Sequence, residues 1–167
     1  MKILLVNKFL YQKGGAETYV IKLGKKFEEE GHEVQYFGLD NEKNTLKNNK
    51  NIIFTGFVQG QELDELYSNA YIYSLPSDLE GMPLSLLEAM SYGNCCLTSD
   101  IPECATVLED KGVTFKKSNI KDLTKVLQEL CNNQKEVQTY KDNAQEYILN
   151  KYNWDDVVDK TLELYKK

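Results

Sequence analysis

Glu80 and Glu88 are the residues of this sequence best placed to do chemistry. Seven residues separate them, beginning Gly81-Met82-Pro83-Leu84. Pro83 stands where a helix would open and Gly93 where it would stop, the expected punctuation of a helix from Pro83 to Tyr92. Glu80 then falls in the loop before the helix and Glu88 on its second turn. The first amides of a helix lack intrahelical acceptors and sit at its positive end, so the segment between the two acids favours an anion, most commonly phosphate.

Two apolar runs must hold this segment. Ala70 to Leu75 (AYIYSL) reads as a strand leading into the polar loop Pro76 to Met82, and Cys95 to Thr98 (CCLT) as the next strand. Ahead of them, Lys2 to Asn7 (KILLVN) reads as a strand buried on both faces. A loop with Gly14 and Gly15 follows. Tyr19, Val20, Leu23 and Phe27 then recur at helical period within Ala16 to Glu30. Glu33 to Gly38 is a second strand, Leu39 to Asn51 a polar linker or frayed helix, and Ile52 to Phe54 a third strand. Gln61 to Ser68 reads as a short helix with Leu63, Leu66 and Tyr67 inward. Beyond the central unit, the pattern predicts a helix from Pro102 to Glu109 and a strand from Gly112 to Phe115. Helices follow over Ile120 to Asn132, Lys135 to Asn150 and Trp154 to Tyr165, the first capped by Asn119 or Ser118. Trp154 and the tyrosines at helical spacing are expected in the core or at helix-docking positions.

Strands alternating with helices predict an α/β fold: a single doubly wound, mostly parallel sheet of about six strands, with helices on both faces and a helical C-terminus. The length, 167 residues, fits one domain. Ligands of such sheets bind outside the carboxyl ends of the strands. Three loops fall on that edge: Gly14-Gly15, Thr55 to Val58, and Ser77 to Met82.

Composition excludes several classes. A net charge of -6 argues against a nucleic-acid partner. All 20 basic residues are lysines, so the planar fork that usually clamps phosphate is missing. The lone His32 sits beside a strand and builds no nucleophilic triad. Cys95, Cys96, Cys104 and Cys131 lack Cys-x-x-Cys spacing, which suits buried, reduced thiols in a cytoplasmic protein. The apolar opening is too short to span a membrane; peripheral contact with one stays open.

The pattern Glu80-Gly81-x-Pro83-x-x-x-Leu87-Glu88-Ala89-Met90-x-x-Gly93 resembles the signature of the family 4 glycosyltransferases of GT-B fold. Pro76-Ser77 before it, Ser99-Asp100-Ile101-Pro102-Glu103 after it, the Gly56-Phe57-Val58 turn and the closing Asn153-Trp154 to Tyr165 fit the same family in order. Residues 51–167 thus resemble that family's C-terminal, nucleotide-sugar-binding domain. Residues 1–38, with Gly14-Gly15-Ala16-Glu17, resemble the start of its N-terminal domain. The resemblance implies one Rossmann-like domain over 1–167 that joins the two.

It also implies roles. Glu80 would contact the donor sugar near its reacting face, and Glu88 would hold the ribose hydroxyls. Backbone amides around Gly81, Met82, Pro83 and Leu84 would face the diphosphate, Phe57 and Val58 would border the base, and Gly14 and Gly15 would approach the diphosphate or acceptor. The implied reaction transfers a sugar from a nucleotide-diphosphate sugar to a glycan or lipid-linked acceptor with retention of configuration. No Asp-x-Asp pair occurs, and no cofactor or metal is called for beyond the donor itself. The middle of the family's two-domain protein, with its Gly-Arg and Lys-Gly strand ends, has no counterpart here; lysines such as Lys8 or Lys13 would have to replace that Arg and Lys. The alternatives are a nucleotide-sugar-binding module without turnover of its own, a chain completed by a second copy or a partner chain, and a generic nucleotide-binding domain.

Overall fold

A computed structural model of the chain describes residues 2–6, 21–22, 25, 28–29, 31, 33–37 and 58–165. Among them run β1 (Lys2–Val6), β2 (Glu33–Phe37), α1 (Gln61–Asn69), β3 (Ile72–Leu75), α2 (Leu84–Ser91) and β4 (Cys95–Ser99). They are followed by α3 (Pro102–Leu108), β5 (Val113–Phe115), α4 (Ile120–Asn132), α5 (Gln134–Lys151) and α6 (Trp154–Tyr165). Residues 21–22, 25 and 28–29 are helical as well, and the Gly31 amide donates to the Glu28 carbonyl at 3.0 Å to close that turn. The expected strand Ile52 to Phe54 lies outside the described residues, as do Gly14, Gly15 and Phe57.

Every pairing among the described strands is parallel. β1 pairs with β2 from Lys2↔Glu33 to Val6↔Phe37, β3 with β4 from Ile72↔Cys95, and β4 with β5 from Leu97↔Val113. β1 also runs close to β3. Each connection between parallel neighbours must cross over, and helices do so here. The α/β class and parallel arrangement expected from the sequence are therefore the ones observed.

Strand side chains alternate between faces, and the core divides accordingly. On one face Ile72, Cys95 and Leu97 pack with Phe115, Leu123 and Leu127. On the other, Tyr73 and Cys96 pack with Leu86, Met90, Cys104 and Leu108. The adjacent pair Cys95-Cys96 is thus buried on both faces of one strand. α5 contributes Val137 to the first cluster and Ala144 and Ile148 to the second. α6 takes part in neither: none of its residues is buried, and Trp154 is 79% exposed. The helix forms where its period predicts, but Trp154 does not dock among the described residues.

α2 ends because Gly93 takes up φ +69, a left-handed conformation that a Cβ would disfavour, and its amide donates to Met90 at 3.0 Å. Gly112 matters through space instead. A Cβ there would come 2.4 Å from Leu108 Cδ2 and 2.9 Å from the Cys96 carbonyl of β4. Since Leu108 is fully buried, neither neighbour can yield freely. Gly112→Ala is expected to cost about 1–3 kcal/mol, read as a lower denaturant midpoint; an unchanged midpoint would show that β5 is not held this close.

The four cysteines are free and buried. Burial pushes the Cys95 thiol up to about 12 and those of Cys104 and Cys131 up to about 11. At pH 8 a thiol titrating near 11 is ionised in roughly one molecule in a thousand, and the thiolate is the reactive form. A thiol-specific reagent at pH 8 is therefore expected to label none of them in the native chain and all four in denaturant. Rapid native labelling would contradict the packing.

Candidate functional site

The segment between the two acids is tied down at several points. From the loop after β3, the Ser77 hydroxyl donates to Glu80 Oε1, and the Ser99 hydroxyl at the end of β4 donates to the Ser77 carbonyl. Asp78 accepts from the Ser118 hydroxyl at 2.8 Å, and Asp100 accepts from the Lys117 amide at 2.7 Å. The loop therefore leans on the carboxyl ends of β4 and β5 together. Glu80 is half-buried, Glu88 exposed.

The opening of α2 has no capping side chain. Leu86 and Leu87 donate to the Pro83 carbonyl at 3.0 and 3.2 Å, and the Leu84 amide folds back onto the Met82 carbonyl at 2.9 Å. Pro83 is buried and has no N–H to offer. The amides of Gly81, Met82 and Ser85 are left without an acceptor among the described residues. Of the residues whose amides the resemblance turns toward a diphosphate, Pro83 has no N–H and Leu84's is engaged, while those of Gly81 and Met82, and of Ser85 beside them, have no acceptor among the described residues. A Cβ at Gly81 would meet no atom of the described residues within 4 Å. Leu79, Met82 and Leu84 are all exposed beside it.

On the far side of the turn, an aromatic group faces Glu88. The Tyr67 hydroxyl of α1 lies 3.3 Å from Glu88 Oε2. Its ring stacks on Tyr92 with centroids 5.4 Å apart, and the Tyr92 hydroxyl donates to Asp64 at 2.5 Å. Tyr73 of β3 donates to the Ser85 hydroxyl at 2.9 Å, fastening the strand to the helix start. Asn94, buried, donates to the Tyr67 carbonyl at 2.9 Å and the Ala89 carbonyl at 3.0 Å. Burial, and then the Glu88 charge, hold the Tyr67 phenol well above its ordinary range; burial does the same for Tyr73. Both remain protonated donors at any physiological pH.

Glu80, Gly81, Met82, Pro83, Leu84 and Glu88 thus follow one another from the loop after β3 into the second turn of α2. Val58 is half-buried ahead of α1. Tyr67 was legible in sequence only as an inward helix position; its contact with Glu88 spans 21 residues and no local pattern announces it. A separate open hollow of about 400 Å³, lined by Lys111, Glu146, Tyr147 and Lys151 among others, shares no residue with this turn.

A family model described as glycosyl transferases group 1 matches residues 9–147 of the sequence. The chain belongs to that family. This glycosyltransferase-family chain is 24% identical to an uncharacterized glycosyltransferase of Methanocaldococcus jannaschii, over 98% of its own length and 44% of the relative's. It is 31% identical to the N,N'-diacetylbacillosaminyl-diphospho-undecaprenol alpha-1,3-N-acetylgalactosaminyltransferase of Campylobacter jejuni, over 64% of its length and 28% of that enzyme's. Its fold matches a crystal structure of a point mutant of S. aureus TarM in complex with fondaparinux, alpha-GlcNAc-glycerol and UDP, with a TM-score of 0.78 at 18% identity, covering 99% of this chain and 35% of that one. The chain spans less than half the length of these relatives.

Proposed function

We propose that this chain binds a nucleotide-diphosphate sugar at the turn between Glu80 and Glu88 and transfers the sugar, with retention, to a glycan or lipid-linked acceptor. One observation carries the reading: in the segment between two carboxylates, three amides at the opening of α2 have no acceptor among the described residues. Amides and the positive helix end suit a diphosphate. Carboxylates accept hydrogen bonds from sugar hydroxyls. Charge that builds on the departing nucleoside diphosphate would be met by donors already in place.

In this reading Glu80 touches the donor sugar, Glu88 takes the ribose hydroxyls, and Gly81, Met82 and Ser85 face the diphosphate. Phe57 and Val58 border the base, and Gly14 and Gly15 approach the diphosphate or the acceptor. The Campylobacter jejuni relative, named for action on a diphospho-undecaprenol-linked sugar, supports a lipid-linked acceptor. In this reading the chain works in the cytoplasm and meets its acceptor at the membrane surface; no helix among the described residues is long and apolar enough to cross a membrane. A second chain, a copy or a partner, would supply the other wall of the cleft.

Isothermal calorimetry with UDP-, GDP-, ADP- and dTDP-linked sugars tests the reading. Saturable binding of one base class is expected. If none of the four binds, the assignment is wrong.

A further inference from the structure

Among the described residues, no side chain of its own helix holds the acid expected to take the ribose hydroxyls. It is an exposed side chain on α2, and the described group that reaches it comes from another element, the phenol of Tyr67 on α1. We propose that Tyr67 is a positioning residue for Glu88: its O–H holds Oε2 and leaves Oε1 to a ribose hydroxyl. The inference rests on the reading of Glu88 given above.

Three observations support it. The phenol has two acceptors in reach, Glu88 Oε2 at 3.3 Å and the Ser85 carbonyl at 3.5 Å; the carboxylate is nearer and charged, and takes the single proton. The ring cannot swing away easily. It is stacked on Tyr92, whose own hydroxyl is anchored to Asp64, and it meets Tyr73 with centroids 6.0 Å apart. Its backbone is fixed as well, because buried Asn94 donates to the Tyr67 carbonyl. Oε1 of Glu88, by contrast, has no partner among the described residues. A rigid donor on one oxygen and none on the other orients a flexible carboxylate before the ligand arrives, which lowers the ordering cost of binding.

Tyr67→Phe removes one hydroxyl and keeps the stack. Its affinity is to be measured by calorimetry for two pairs, UDP with 2′,3′-dideoxy-UDP and GDP with 2′,3′-dideoxy-GDP. The wild type should prefer the ribose form of one pair, and Glu88→Ala should abolish that preference. Tyr67→Phe should weaken the ribose form roughly 5-fold and leave the dideoxy form unchanged, since only the oriented carboxylate is lost. Tyr73→Phe deletes a neighbouring phenol that serves Ser85 and should leave the preference intact. A wild type that prefers neither ribose form overturns the Glu88 reading, and this inference with it. A wild-type preference that Glu88→Ala abolishes but Tyr67→Phe retains in full overturns the positioning role alone. Equal weakening of both forms by Tyr67→Phe would mark a purely structural tyrosine and overturn it too.

Discussion

Glu88→Ala is expected to weaken nucleotide-sugar binding by about 100-fold, the largest loss of affinity from any one side chain at the site. A ribose hydroxyl donating to the carboxylate makes a hydrogen bond to a charged acceptor, worth about 1.5–3 kcal/mol net of its exchange with water. A net loss near 3 kcal/mol corresponds to roughly that factor. The fold should tolerate the change. Glu88 is exposed and makes no ion pair among the described residues, and alanine is the best helix former. The control is thermal unfolding, which should move little. Affinity within threefold of the wild type, with the same unfolding temperature, would remove Glu88 from the site.

The second large effect falls on turnover. Glu80→Gln keeps the size of the side chain and an oxygen that can still accept from Ser77, so the loop should stay in place while the charge is lost. Removing an electrostatic group beside the reacting sugar costs on the order of 100- to 1000-fold in rate. Affinity for the bare nucleoside diphosphate, which has no donor sugar to touch Glu80, should change by less than about threefold, the sign that the nucleotide site is intact. Initial rates of donor hydrolysis or transfer, alongside calorimetry, give both quantities. An unaltered rate in Glu80→Gln would assign the chemistry elsewhere. A wild-type chain that binds a donor and never consumes it would reduce the protein to a nucleotide-sugar-binding module.

How far the site was legible varies residue by residue. The α2 turn could be read because its determinants are local: Pro83 and Gly93 fix where the helix opens and stops, and the spacing of Glu80 and Glu88 does the rest. The amides could not be read so well. Which N–H groups stay free depends on a fold-back between Leu84 and Met82, set by backbone angles that no residue type dictates. The expected strand over Ala70 to Leu75 begins only at Ile72, because the Ala70 amide closes the end of α1 by donating to the Tyr67 carbonyl at 3.4 Å. Asn133 both ends α4 and caps α5 through its side chain, accepting from Glu136 at 3.2 Å, so α5 starts a residue before the expected Lys135.

From the sequence alone came the class of fold, the α4 and α6 boundaries, and the turn that brings a helix start between two acids; the sequence offered Asn119 or Ser118 as the α4 cap, and Asn119 takes it by accepting from the Asp122 amide at 3.1 Å. Those features rest on periodicity, punctuation and short spacing, which act within a few residues. Tertiary structure alone decided that a tyrosine from a different helix meets Glu88, that Ser99 and Ser118 hold the Glu80 loop, and that α6 leaves Trp154 in the open. A period marks an apolar face without saying what will cover it, and a hydroxyl does not reveal its acceptor until distant segments are packed together.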